Sequence, residues 1–161
     1  MGTEIIDRLI IHFNLSYKML ENHIGNCPDE LWDVKAGGFV FWQQLLHAIT
    51  GLKFWTRSVK GDFIEPFSER NVYPELEKVP EGHVSKEEMR ALFEETMRQV
   101  DGFFAHKDDK WLFADNAIYE KLKNFDIVEM QIRHIQYHVG HCNAILRERD
   151  LPAVGWEENY G

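Results

Sequence analysis

Residues 133–142 read RHIQYHVGHC and place His134, His138 and His141 within eight residues. On an α-helix each residue advances about 100°, so His138 sits about 40° round from His134 and His141 about 20°. All three then share one face. Ile127, Met130 and Ile145 continue that face, so it points into a core. The stretch is therefore read as part of a long, inward-facing helix ending near Arg149, before Leu151-Pro152. At its start, Asp126 is read as the cap and Glu129 as the partner that completes a capping box. Phe125 and Met130 are read as a hydrophobic staple.

Working outward, three more segments carry helical periodicity. From about Thr3 to Asn26, Ile5, Ile6, Leu9, Ile10, Phe13, Leu20 and Ile24 recur at three- and four-residue steps, and Gly25 and Pro28 stop the run. A second helix is predicted from about Phe41 to Lys60 on Trp42, Leu45, Leu46, Ile49 and Leu52. A third opens at Ser85, where SKEE has the form of a capping box, and runs through Met89, Leu92, Phe93, Met97, Val100 and Phe104. DELWDVKAGG is read as a connection with a single turn. Residues 105–125 are read as irregular, with a short turn around Ile118 to Leu122. No segment alternates with period two over enough residues to demand a strand.

Four amphipathic segments without strands predict an all-α fold, a four-helix bundle. Residues 61–84, with Pro66, Pro74, Pro80, Gly61 and Gly82, are too long for a simple hairpin, so a long crossover connection is expected between helices two and three. With 161 residues and no linker or repeat, the chain reads as a single domain over 1–161.

Composition narrows the function. The chain is 44% hydrophobic, 28% charged and carries a net charge of −9, which fits a globular protein and argues against a nucleic-acid surface. No run of about 18 apolar residues is present, and Glu4 and Asp7 stand where a signal peptide would be basic. No membrane partner and a cytoplasmic location are the expectations. Cys27 and Cys142 are read as plain thiols.

A buried imidazole needs its nitrogens satisfied, and a stripe of them is costly unless something answers the cost. A divalent metal does so, since neutral imidazole is a common ligand. His134 and His141 lie about 10 Å apart along the axis. One ion therefore takes either His134 with His138 or His138 with His141. The first pair is preferred, with His141 assigned a pocket role in orienting water or moving protons. The other reading of the stripe is core histidines with no metal. His47, in FWQQLLHAITG beside the apolar stripe of the second helix, is the candidate ligand from a facing helix. His12, His23, His83 and His106 are assigned surface or cap roles. Glu129 lies off the ligand stripe and is read as a cap only.

HAITG on the second helix together with RHIQYHVGH on the fourth resembles the DinB-like superfamily of metal-dependent proteins. Its pattern is one His on helix two and H-x3-H-x-G-Q on the last, followed by a segment like ILRERDLP. His47, His134, His138 and Gly140 match it, while His141 replaces the usual Gln. The resemblance implies a four-helix bundle holding a zinc or nickel ion on His47, His134 and His138, with positions left for water or ligand. It also implies frequent homodimers, and small-molecule chemistry by thiol S-transfer or hydrolysis, with a small substrate or a thiol as partner. The alternative is a non-catalytic, metal-containing module that binds or senses a small ligand.

Overall fold

The computed structural model describes residues 2–160. Among them the long helices are α1 (Glu4–Asn26), α3 (Phe41–Trp55), α4 (Lys86–Phe104) and α6 (Asn124–Arg147). Two single-turn helices, α2 (Asp29–Trp32) and α5 (Asp109–Leu112), and two short strands, β1 (Lys35–Ala36) and β2 (Phe39–Val40), complete the regular structure. The fold is all-α with a core bundle of four long helices, but the described residues form six α-helices rather than four. Round the bundle the order is α1, α6, α3, α4, so α3 and α6 lie side by side.

The apolar stripes fill the centre. Phe13, Leu20 and Ile24 of α1, Leu45, Leu46 and Ile49 of α3, Met89 and Val100 of α4, and Ile127, Ile135 and Ile145 of α6 are all buried. Ile5 departs from its stripe and is 45% exposed. Cys27 and Cys142 are buried free thiols, as expected.

Helix ends show which local signals govern. The Ser85 box forms in full: Ser85 Oγ accepts from the Glu88 amide at 3.1 Å, and Glu88 Oε2 accepts from the Ser85 amide at 2.9 Å. The α6 start differs from the reading above. The helix begins at Asn124, and Asp126 is not its cap but the carboxylate that accepts from the Lys123 amide at 2.7 Å. Glu129 caps nothing; it pairs with Arg133 one turn on, at 2.7 Å. The start is fixed from outside, by a buried Asn116–Asn124 side-chain bond of 3.0 Å. The second long helix stops at Trp55, short of Lys60, because Thr56 Oγ1 and the Arg57 guanidinium bond back to the Leu52 and Phe54 carbonyls.

The short turn read around Ile118 to Leu122 is present, closed by the Leu122 amide donating to the Tyr119 carbonyl at 2.8 Å, and 105–125 adds a single helical turn at Asp109–Leu112 that the sequence did not show. It does work at a distance: Asp109 Oδ1 accepts from the Ile5 and Ile6 amides at 3.1 and 2.9 Å, capping α1. The strands are too short to leave a periodic signature. Lys35 pairs with Val40 and Ala36 with Phe39 around Gly37-Gly38, whose φ values of 61° and 103° suit a two-residue turn of glycines. No helix among the described residues is long and apolar enough to cross a membrane.

Candidate metal centre

Helix α3 is buried on nearly every side, and His47 stands where that burial gives way to the cavity beneath residues 63–77. Across from it α6 presents His134 and His138, one turn apart. The spacing read from the sequence and the contact of α3 with α6 bring three rings together. His134 Nε2 lies 3.0 Å from His47 Nε2 and 3.2 Å from His138 Nε2. The rings meet edge to face, with centroids 4.8–5.0 Å apart. Among the described residues this is the one group of three His, Cys, Asp or Glu that converges this closely.

The protonation of one ring is fixed by its neighbour. His47 Nδ1 is 2.9 Å from the Pro74 carbonyl, which can only accept, so Nδ1 carries the hydrogen. The other ring nitrogen of His47, Nε2, therefore faces the other two rings. A carbonyl behind a ligand histidine sets its tautomer and orientation in metal sites. Burial keeps the α6 rings neutral. It pushes His134 down to about 4, helped by the charge His47 would carry. His138 is 2% exposed and is pushed down to about 3 by burial first, then by His134, His47 and His141.

These residues fit a divalent cation. Nitrogens about 2.0–2.1 Å from a tetrahedral zinc stand about 3.3 Å apart, close to the separations of 3.0 and 3.2 Å seen here. Three imidazoles crowding their nitrogens together, two of them held neutral by burial, form a donor set for such an ion. Gly51, one turn after His47, makes the room: a Cβ there would stand 2.9 Å from His134 Cε1.

The remaining histidines separate cleanly. His141 is half-buried one turn beyond His138, outside the three-nitrogen group. Its ring meets Phe39 edge to face at 6.1 Å, and a Cβ on Gly37 would collide with its Nε2. His12, His83 and His106 are exposed, in keeping with surface roles, and His83 pairs with Asp33 at 2.7 Å. His23 is a correction. It is neither surface nor cap but wholly buried at 0% exposure, and neither ring nitrogen has a partner of hydrogen-bond geometry. Burial pushes it down to about 4, opposed by the Val139 carbonyl. Its helix packs against α6 to its last turn, which a reading of α1 alone cannot reveal.

One residue of interest escaped the sequence. Glu75 follows the proline whose carbonyl orients His47, and its carboxylate lines the cavity beside that ring. Oε1 accepts from Lys78 Nζ at 3.1 Å, while Oε2 is buried without a partner. Its acidity is raised by its own backbone amide first, then by Lys78 and His47. Nothing in the local string PELEK marks it, since the contact depends on how the linking segment folds back. Of the two long connections, 61–84 supplies this wall, while 105–125 lines a separate cavity of about 520 Å³.

The family model described as the DinB superfamily matches residues 12–142, a span that includes all three converging histidines. No curated protein and no solved structure matches the chain. The chain belongs to the DinB superfamily.

Proposed function

We propose that this DinB-superfamily chain is a metal-dependent enzyme that acts on a small molecule at His47, His134 and His138, by thiol S-transfer or hydrolysis. The observation that carries the reading is the convergence of three Nε2 atoms, with His47 held in the metal-ligating tautomer by the Pro74 carbonyl. Three protein donors leave positions open, the arrangement of catalytic rather than structural sites. Zinc or nickel suits an all-imidazole donor set. A divalent cation held there supplies Lewis acidity, lowering the pKa of a water or thiol that reaches it.

The chain's own residues do the rest. His134 and His138 stay neutral and available because they are buried. Gly51 leaves space for the His134 ring, and Pro74 orients His47. His141, whose charge would be felt at His138, is proposed to carry protons at the edge of the site. A homodimer is proposed from the family resemblance, and light scattering tests it.

The test has two stages. Protein purified without a histidine tag should hold close to one zinc or nickel per chain, and His138→Ala should lose it. Thiol-transfer and ester- or amide-hydrolysis assays should then find turnover that His138→Ala abolishes. Turnover surviving that substitution sinks the mechanism. Tight metal without any turnover supports the binding or sensing alternative.

A further inference from the structure

The cavity lined by residues 105–125 stands apart from the imidazoles. It is closed by the end of α3, the last turns of α4 and the first residue of α6, Asn124. Asn124 lies ten residues before His134, about 15 Å along the helix axis. The volume of about 520 Å³ falls within the roughly 300–1,000 Å³ of small-molecule sites. Phe103 and Trp111, packed edge to face with centroids 5.2 Å apart, give it an aromatic corner, and Ile118 adds apolar surface.

Its polar lining is cationic and donating. Arg57, Arg98 and Lys107 border it, in a chain whose net charge is −9. Arg98 and Lys107 form no ion pair among the described residues, and Lys107 Nζ lies 5.5 Å from the centre of the Trp111 ring. Arg57 is braced by the Phe54 and Lys60 carbonyls and the Tyr119 hydroxyl, so no carboxylate neutralises it. The one carboxylate in the lining, Asp115, is paired with Lys123 at 2.6 Å.

The buried carboxamides favour an acceptor ligand independently of charge. Asn116 and Asn124 line the cavity at 7% and 4% exposure. The Asn116 oxygen accepts from the Ile118 and Tyr119 amides, both at 2.9 Å. The Asn124 oxygen accepts from Asn116 Nδ2 at 3.0 Å, and Asn124 Nδ2 donates to the Trp111 carbonyl at 2.8 Å. Each side-chain nitrogen thus makes one hydrogen bond and keeps a second N–H. Acceptors are spent inside the protein while donors remain.

We infer that this cavity binds a small aromatic oxyanion, a carboxylate or phosphate carried on a single ring, with the oxyanion held by Arg98 and Lys107 and the ring against Trp111 and Phe103. The site goes beyond the metal reading and does not depend on it. A cationic ligand is disfavoured by three cations and a lining without an unpaired carboxylate. A neutral ligand leaves Arg98 and Lys107 unanswered, whereas an oxyanion forms charge-assisted hydrogen bonds with both. A bare ion leaves the Phe103–Trp111 corner in water, where an aromatic body would cover it.

The experiment is calorimetric titration with phenylacetate, phenyl phosphate, phenylacetamide and phenethylamine, and with acetate and inorganic phosphate as bare anions. Each is run on zinc-loaded protein and on protein stripped with a chelator. At least one aromatic anion is expected to bind about tenfold more tightly than phenylacetamide in both forms, and the tighter of the two identifies the oxyanion. Phenethylamine should not bind, and the bare anion of the preferred probe should bind about tenfold more weakly than the probe itself. Lys107→Gln and Arg98→Gln should each weaken the preferred anion about threefold or more and leave phenylacetamide unchanged. Arg90→Gln, at an exposed arginine of the same helix outside the lining, should change neither.

Equal binding of the aromatic anions and phenylacetamide, or tighter binding of phenethylamine, overturns the inference. So does binding that vanishes on stripping, which would place the oxyanion on the metal. A bare anion bound as tightly as its aromatic counterpart overturns it too, since the ring corner would then play no part. Weakening by Arg98→Gln without weakening by Lys107→Gln would place the ligand in the neighbouring cavity of about 740 Å³, which Arg98 borders and Lys107 does not. The probe comparison on the unaltered chain decides even where a variant does not fold. Failure to hold zinc would sink the metal reading alone and leave that comparison standing.

Discussion

Gly51 and His134 share one small volume: a Cβ added to the glycine would stand 2.9 Å from Cε1 and 3.3 Å from Nδ1 of the imidazole. That relationship makes a mid-helix glycine necessary where alanine would suit the helix better by about 1 kcal/mol.

Gly51→Ala is therefore expected to separate stability from metal binding. Helix propensity favours the variant, while the methyl displaces the His134 ring from the three-nitrogen group. We expect an apo melting temperature equal to or above that of the parent, with zinc affinity weaker by about 10–100-fold, the range seen when ligand-orienting contacts are lost. Competition against a chromophoric chelator measures it. Unchanged affinity would mean that the ring can bind from another rotamer.

Metal removal has a defined pH dependence. An unfolded histidine titrates near about 6.5, whereas in the fold His134 lies at about 4 and His138 at about 3. Below pH 6.5 the unfolded chain takes up protons that these buried rings refuse, so the apo fold loses stability as pH falls towards 4. At the folded site, protons compete with metal on these two rings only as pH approaches 4. A chelator should thus lower the melting temperature by a progressively smaller amount as the pH falls through about 4 and then about 3, where first His134 and then His138 takes up a proton. With metal at a hundredfold excess over Kd the stabilisation is about 2.7 kcal/mol, or about 5–10 °C for a chain of this size. Scanning calorimetry with and without chelator checks both points. A difference that does not shrink as the pH falls from 4 to 3 would exclude these imidazoles as ligands.

The parts of the site that follow from one helix were legible in the sequence. Residues 134 and 138 share a face because of helical geometry alone, and the Ser85–Glu88 box forms because its partners are three residues apart. His47 was legible as the neighbour of an apolar stripe and through the family resemblance. Contacts made by chain segments that return from afar left no local trace. The Pro74 carbonyl lies 27 residues from His47, Asp109 lies 104 residues from the amide of Ile5 that it caps, and Asn116 sets where α6 begins. The β1–β2 hairpin has too few residues to show a period of two. His23 was misread for the same reason: its burial is a property of α6 and α3 closing over α1, not of the end of α1.

His23 gives the next prediction. With both ring nitrogens unpartnered inside the core and its acidity raised to about 4, it resists protonation in the fold but not in the unfolded chain. Its share of the stability is present above about pH 6.5 and is lost as pH falls towards 4. His23→Leu removes both the orphaned nitrogens and the titration. The variant is expected to be at least as stable as the parent at pH 7.5 and clearly more stable at pH 5, with zinc content unchanged. Acid unfolding followed by circular dichroism reads the shift. A variant that loses stability equally at both pH values would show that packing against Phe41, 6.2 Å away between ring centroids, outweighs the charge effect.

His141 offers the sharpest division between chemistry and packing. It is close enough to His138 to influence its acidity, yet it leans on the Gly37–Phe39 hairpin and stands outside the converging nitrogens. As a proton carrier, it should be replaceable without loss of metal: His141→Gln is expected to bind zinc as the parent does and to lose about 10²–10⁴-fold in turnover, the usual worth of a positioned acid or base. The hairpin supplies an independent way to move the same ring. Gly37→Ala introduces a Cβ where the His141 imidazole lies, at a backbone φ of 61° that already disfavours alanine. It should reproduce part of the turnover loss while leaving zinc in place. Steady-state kinetics across pH, with zinc content measured on the same samples, compares the two variants. Turnover within twofold of the parent in His141→Gln would reduce the residue to a prop for the hairpin.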